Sequence, residues 1–244
     1  MKRTTIYEKD LTARFHATTS NSKLGKGVLA IAYYPGDFNT YADGRPVSDV
    51  QGTCAGVCKA CKGGCYAMRT IKQYEDACIN RLENTLQLRK DIGKHFEDIF
   101  NYCKLNKVHT VRYTESGEIE SFSQFLHVVA LANRLQEMGA VIYLYTKRYN
   151  VLREYFSTAN NLPDNMIVLV SSWGDVGLNE YQEFKQHKNV KLFAVNAPAN
   201  LPAVYCPAYY MDSNGKVKRD DSMTCEKCGL CYKSTAKVIG CFEH

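Results

Sequence analysis

Four cysteines, Cys54, Cys58, Cys61 and Cys65, fall within the stretch TCAGVCKACKGGCYAMR at 53–69. A short loop this dense in thiols lets several sulfurs converge on one point. Its backbone N–H groups are then placed to hydrogen-bond to cluster sulfides. The first three cysteines are spaced C-x3-C-x2-C, which suits an iron-sulfur cluster. The plainer alternative is a structural zinc knot, because four cysteines also make a tetrahedral site.

A second group lies near the C-terminus: Cys206-Pro207, then TCEKCGLCY with Cys225, Cys228 and Cys231. A C-x2-C-x2-C run with a separate Cys-Pro is the ferredoxin recipe for a [4Fe-4S] cluster, here with the Cys-Pro placed first. Zinc sites are normally assembled from two separated pairs, so zinc is the second choice for this group. Cys241, in the tail, either replaces one ligand or is incidental. Cys78 and Cys103 lie in helical patterns and read as small buried hydrophobes.

The chain has 244 residues, 11 of them cysteines, and is 45% hydrophobic and 23% charged. This length supports one sizeable core. The opening MKRTTIYEKDLTARFH has no apolar h-region. No apolar run approaches the roughly 18 residues of a membrane span. The expected setting is therefore a reducing cytoplasm, where clustered thiols point to metal before disulfides. The net charge of +6 admits an anionic partner without demanding one. No P-loop, H-E-x-x-H or Ser–His–Asp pattern appears. His109 and His127 are expected to be structural.

The elements that must position the thiols follow a βα rhythm. Strands are expected at 28–34 (VLAIAYY), 108–114 (VHTVRYT), 140–145 (AVIYLY), 166–170 (MIVLV) and 191–195 (KLFAV). Helical periodicity runs through 71–104, with a break expected at Gly93, and through 122–138, 151–156 and 180–187. Crossovers of this length make a parallel sheet, and ligand sites of such sheets lie beyond the carboxyl ends of the strands. Each chemically rich stretch begins at such an end. The cysteine loop follows the first strand and Glu115-Ser116-Gly117-Glu118 the second. Thr146-Lys147-Arg148 follows the third, Ser171-Ser172-Trp173 the fourth and Asn196 the fifth. The fold expected is α/β, a partial TIM-like (β/α)5-6 parallel barrel over residues 1–200. A cysteine-rich, iron-sulfur-binding C-terminal extension covers 201–244.

Taken together, the chain resembles the phage gene-product-88-like family, cysteine-motif proteins similar in appearance to radical S-adenosylmethionine (SAM) enzymes. The resemblance runs from about residue 21 to 232. It rests on NSKLGKG, CKGGCYAMR, the helix with Arg81 and Asn84, VRYTESGE, YLYTK and CPA…TCEKCGLCY. It implies a partial TIM-like barrel with two iron-sulfur clusters, and no particular reaction. Family members more typically carry Ser-Gly-Asp where this chain has Ser116-Gly117-Glu118. The radical SAM pattern selects Cys54, Cys58 and Cys61. The family's cysteine before Tyr-Ala selects Cys65, with Cys54 and Cys61. Both assignments stay open.

The leading functional expectation is a radical SAM-like enzyme. Three cysteines of the 54–65 loop would hold a [4Fe-4S] cluster with one open iron for SAM, an auxiliary [4Fe-4S] cluster would sit in the extension, and a redox partner would supply electrons. Ser116-Gly117-Glu118 resembles the Gly-Gly-Glu turn that holds the SAM amino group. Glu115 or Glu118 would accept from the ammonium, Lys147 or Arg112 would meet the carboxylate, and Ser171 joins the cofactor-binding set. Singly, each of these charged residues is equally well a solvated loop residue. The second reading is a non-catalytic electron carrier or a cluster-stabilised nucleic-acid-binding module, with aromatic and basic residues at 143–149 as base-stacking candidates. A two-zinc structural protein is the third.

Overall fold

The computed structural model describes residues 4–19, 21–36, 40–41, 43–55, 59–159 and 161–243. β1 (Val28–Ala30) is followed by α1 (Lys59–Gly64), α2 (Tyr66–Gln73), α3 (Glu75–Lys90) and α4 (Ile92–Leu105). Then come β2 (Thr110–Tyr113), α5 (Phe122–Gln136), β3 (Val141–Thr146), α6 (Tyr149–Thr158), β4 (Met166–Trp173), α7 (Leu178–Phe184) and β5 (Val190–Val195). The C-terminal region adds β6 (Val204–Tyr205), β7 (Tyr209–Met211), β8 (Val217–Arg219), α8 (Cys225–Cys228) and β9 (Val238–Cys241).

The expected α/β alternation is present, and seven strands form one parallel sheet in the order β1-β2-β3-β4-β5-β9-β6. The sheet is open, with β1 and β6 as its edges, so no closed barrel forms among the described residues. β7 and β8 make a separate antiparallel pair. Two of the seven strands, β6 and β9, come from the cysteine-rich region and were not expected. β6 is two exposed residues and β9 carries Gly240, so neither shows a strand period in the sequence.

Boundaries also differ: β4 runs on through Ser171-Ser172-Trp173, expected to follow it, because those residues keep their ladder partners in β5. The helical stretch breaks at Tyr74 and Asp91, not at Gly93. Asp91 starts α4 by accepting the N–H of Lys94 at 2.8 Å, and a side-chain cap decides a helix start more firmly than a glycine two residues after it. The first strand is shorter than the apolar run, but its pairing continues beyond β1. Ile31 N donates to Arg112 O at 3.0 Å and Tyr33 N to Ser116 O at 2.9 Å.

The sheet is covered on both faces, as continuous apolar strands require. Val111, Tyr113, Ile142, Leu144, Val168, Val170 and Leu192 pack toward the helices. Their neighbours in sequence point the other way, and Tyr143, Ile167, Leu169 and Ile239 pack against Tyr232, with Cys225 and Cys231 at the margin. The segment that carries the second cysteine group is therefore the second cover of the sheet. Lys191, on this same face, fastens it by donating to Ser234 O at 2.7 Å.

The helix-side core holds a buried polar chain. The hydroxyls of Tyr33 and Tyr113 are 2.6 Å apart, and Tyr33 also meets His95 Nε2 at 2.8 Å. His95 Nδ1 donates to Gln87 Oε1 at 2.7 Å, and Gln124 Nε2 donates to Tyr113 at 2.9 Å. Each polar atom finds its partner, which is the condition for burial. Cys78 and Cys103 are buried helix residues, as expected. His127 caps its own helix turn through Ser123 O, and His109 is exposed just before β2.

Candidate functional site

Backbone pairing fixes where the first cysteine group enters. Thr53 N donates to Tyr34 O at 2.9 Å, and Thr53 Oγ1 accepts from Glu118 N at 2.9 Å. The loop start is thereby tied to the turn after β2. Cys54 follows directly, Cys61 lies in α1, and Cys65 stands at the N-terminus of α2. Cys58 lies outside the described residues. Burial pushes the Cys54 thiol up to about 12, against a backbone hydrogen bond from Gly36 that pulls it down.

The turn after β2 is held at every residue. Glu115 pairs with Arg81 of α3 (Oε2 to Nη2, 3.2 Å), and its backbone and side chain accept from the Tyr66 hydroxyl. Ser116 Oγ donates to Tyr33 O at 2.8 Å. Gly117 has φ +80°, and a Cβ there would lie 2.5 Å from Thr53 Oγ1 and 2.8 Å from Tyr33 Cβ. Only glycine allows this turn to close on the cysteine loop. The Glu118 carboxylate accepts from Thr146 Oγ1 (2.7 Å), Lys147 N (2.8 Å) and Ile119 N (2.9 Å). Burial raises its pKa, and those three donors pull the other way. Lys147 Nζ donates to Ser171 Oγ at 3.0 Å.

The second group is assembled by contacts between distant segments. Cys225 N donates to Lys23 O (3.0 Å) and Glu226 N to Leu24 O (2.8 Å), so α8 docks on the NSKLGKG lead-in. Cys206 N donates to Gly240 O (2.8 Å), which brings its thiol to that of Cys241. The hydrogen bond from Cys241 lowers Cys206 to about 6 and raises Cys241. The Tyr145 hydroxyl donates to Cys231 Sγ at 3.0 Å; burial still holds that thiol at about 12. Backbone N–H groups of Ala208 and Leu230 reach Cys206 and Cys228.

A single cavity of about 290 Å³ joins these parts at the carboxyl ends of the parallel strands. Its walls include Cys54, Cys61 and Cys65 together with Cys206, Cys225, Cys231 and Cys241. A family model described as Gene product 88 matches residues 10–234. The chain belongs to the Gene product 88 family. No curated protein and no solved structure matches the chain.

In this Gene product 88 member the cavity also gathers Arg112, Glu115, Ser116, Gly117, Glu118, Lys147 and Ser171, all selected from the sequence. Cys228 is half-buried and lies off the cavity wall. Among the described residues, no three Cys, His, Asp or Glu side chains converge as ligands of one metal ion. Sequence reasoning passed over Lys23, Tyr66 and Glu243, which also line the cavity. Lys23 and Tyr66 lie inside NSKLGKG and CKGGCYAMR, so those motifs were the available signal. Glu243 is placed by Asn196, whose Nδ2 donates to it at 2.9 Å, and no pattern announces such a pair. No helix among the described residues is long and apolar enough to cross a membrane.

Proposed function

We propose that this chain is a radical SAM-like iron-sulfur enzyme built on a partial TIM-like barrel. One [4Fe-4S] cluster would be held by the 54–65 loop and a second by Cys206, Cys225, Cys228 and Cys231. The observation that carries this reading is the shared cavity. Two thiol groups some 140 residues apart in sequence open into one space, beside three carboxylates (Glu115, Glu118, Glu243) and two lysines (Lys23, Lys147). A surface clip for zinc has no use for such a space. The partial barrel is supported by the strand order, which runs sequentially from β1 to β5 with the helices on one face.

The donor set fits iron-sulfur clusters in two respects. Backbone N–H groups reach the sulfurs of Cys54, Cys206 and Cys228, as ligating thiolates require. Arg112, half-buried on the cavity wall beside the second group, has a buried Nε without a hydrogen-bond partner among the described residues. Such a cation calls for an anionic neighbour, and iron-bound thiolates supply one. A cluster held by cysteines of the 54–65 loop would, when reduced, supply the electron for reductive cleavage of SAM. The protein's own residues position and shield. Glu118 clasps the ends of β2 and β3 together, Gly117 lets the turn approach the cysteine loop, and Arg81 holds Glu115 at the cavity wall. Lys147, steadied by Ser171, offers a cation to a carboxylate.

Anaerobically purified protein should carry about eight irons per chain and absorb broadly near 400 nm. Adding SAM to the reduced protein should change the electron paramagnetic resonance spectrum of the first cluster. Two zincs and no colour would sink the proposal. Four cysteines closed around the first cluster, with no response to SAM, would make the chain an electron carrier instead; Cys65, beside Cys54 and Cys61 on the wall, makes that outcome concrete.

A further inference from the structure

Arg112 lies on the cysteine-facing side of β2, in register with Tyr143 of β3. Its guanidinium carbon sits 4.7 Å from the centre of the Tyr145 ring. Among the described residues it forms no ion pair. Glu115, the acid beside it, is committed to Arg81 at 3.2 Å. Glu118 and Glu243, the other acids on the cavity wall, are committed to Thr146 and the Lys147 N–H, and to Asn196. Arg112 thus faces π surface with a buried, unpartnered Nε and no carboxylate available to it. Arginine does not deprotonate to escape this. A cation over an aromatic face recovers part of the lost hydration, but not the charge balance.

Tyr145 touches the second thiol group on its other side. Its hydroxyl donates to Cys231 Sγ at 3.0 Å, and its ring is wedged edge-on against Phe193 at 4.9 Å. The hydroxyl therefore has one address, a sulfur, and the ring has little freedom to give it another. Cation, ring, hydroxyl and sulfur form a single line of contacts from β2 across β3 to the C-terminal cover.

Resting on the two-cluster reading above, we propose that Arg112 and Tyr145 act together as positioning residues that set the electron affinity of the C-terminal cluster. Reduction adds one electron, from an external one-electron reductant, to a centre that already carries the negative charge of its thiolates and sulfides. A donor hydrogen bond to a ligating sulfur and a nearby unpaired cation both stabilise the reduced form more than the oxidised one. Both therefore make the potential less negative. The pair gives a use to a cation on a sheet face that, Lys191 apart, is covered mainly by apolar residues.

The test is a dithionite-poised redox titration of the full chain, followed by electron paramagnetic resonance. The C-terminal signal is the one that disappears in Cys225→Ala. Tyr145→Phe keeps the ring and removes only the O–H; Arg112→Met removes the charge, and Arg112→Lys restores it without the fork. Tyr145→Phe and Arg112→Met should each keep the iron and lose about tenfold in electron affinity, a shift of about 59 mV to more negative potential for a one-electron couple. Arg112→Lys should recover part of it. If Arg112→Met fails to fold, Tyr145→Phe alone still decides. An unchanged midpoint in iron-loaded Tyr145→Phe overturns the proposal, and so does loss of the C-terminal iron from that variant, which would make the hydroxyl an assembly contact. A wild-type chain without C-terminal iron is read from metal content before any titration, and it overturns the cluster reading itself together with this inference.

Discussion

Glu118 meets Lys147 through the backbone and not in a direct ion pair: its carboxylate accepts the Lys147 N–H at 2.8 Å, while the lysine's ammonium turns to Ser171 Oγ at 3.0 Å. The carboxylate is a clasp between two strand ends before it is anything else. Glu118→Ala should leave Thr146 Oγ1 and two N–H groups without their acceptor and cost about 2–4 kcal/mol. Glu118→Gln, which keeps one oxygen, should cost less. Urea unfolding of the two variants gives the comparison, and equal losses would contradict the clasp.

Arg81 and Glu115 are a second shielded pair, with side chains 9% and 8% exposed. Removing one partner strands a buried charge, at a cost of about 3–5 kcal/mol. Arg81→Met should therefore be severely destabilised. Adding Glu115→Gln to it should restore much of the loss. A double variant no more stable than Arg81→Met would mean that the pair is not coupled.

His95 gives the fold a pH dependence. Burial lowers its pKa from 6.5 to about 4, so the folded chain keeps it neutral while the unfolded chain protonates it first. Stability from this group is complete above about pH 6.5 and drains away as pH falls toward 4, by on the order of 3 kcal/mol in all. The unfolding free energy of the wild type should fall more steeply across that window than that of His95→Gln. Parallel curves would remove His95 as the cause.

Two glycines of the lead-in face the same side chain with different consequences. A Cβ on Gly25 would lie 2.7 Å from Glu226 Cβ, and Gly25 has φ +95°. A Cβ on Gly27 would meet only the far end of that side chain, at 2.3 Å from Oε1. Gly25→Ala should push α8 off its dock, displace Cys225 and lower the C-terminal iron content. Gly27→Ala should retain the iron, because a carboxylate end can swing aside. Iron and protein assays on both variants measure this, and equal iron in the two would disconnect the lead-in from the cysteine site.

The sequence by itself determined the alternation of elements and the types of group at the site. Apolar runs such as 166–170 read as buried strands because a parallel sheet covered on both faces needs no polar alternation. Spacing alone singled out the thiols, and the turns after β2 and β3 supplied Glu115, Ser116, Gly117, Glu118 and Lys147, while Ser171, expected in a loop, stands inside β4. Tertiary structure decided the rest. That Cys206 lies beside Cys241 follows from β6 pairing with β9, two strands too short to leave a period in the sequence. That Glu118 serves Thr146 and the Lys147 N–H follows from where two strand ends stop relative to one another, which is a matter of register. That NSKLGKG is the dock for TCEKCGLC depends on contacts some 200 residues apart. Local spacing encodes which groups are present, while their partners are chosen by how the sheet and its two covers pack.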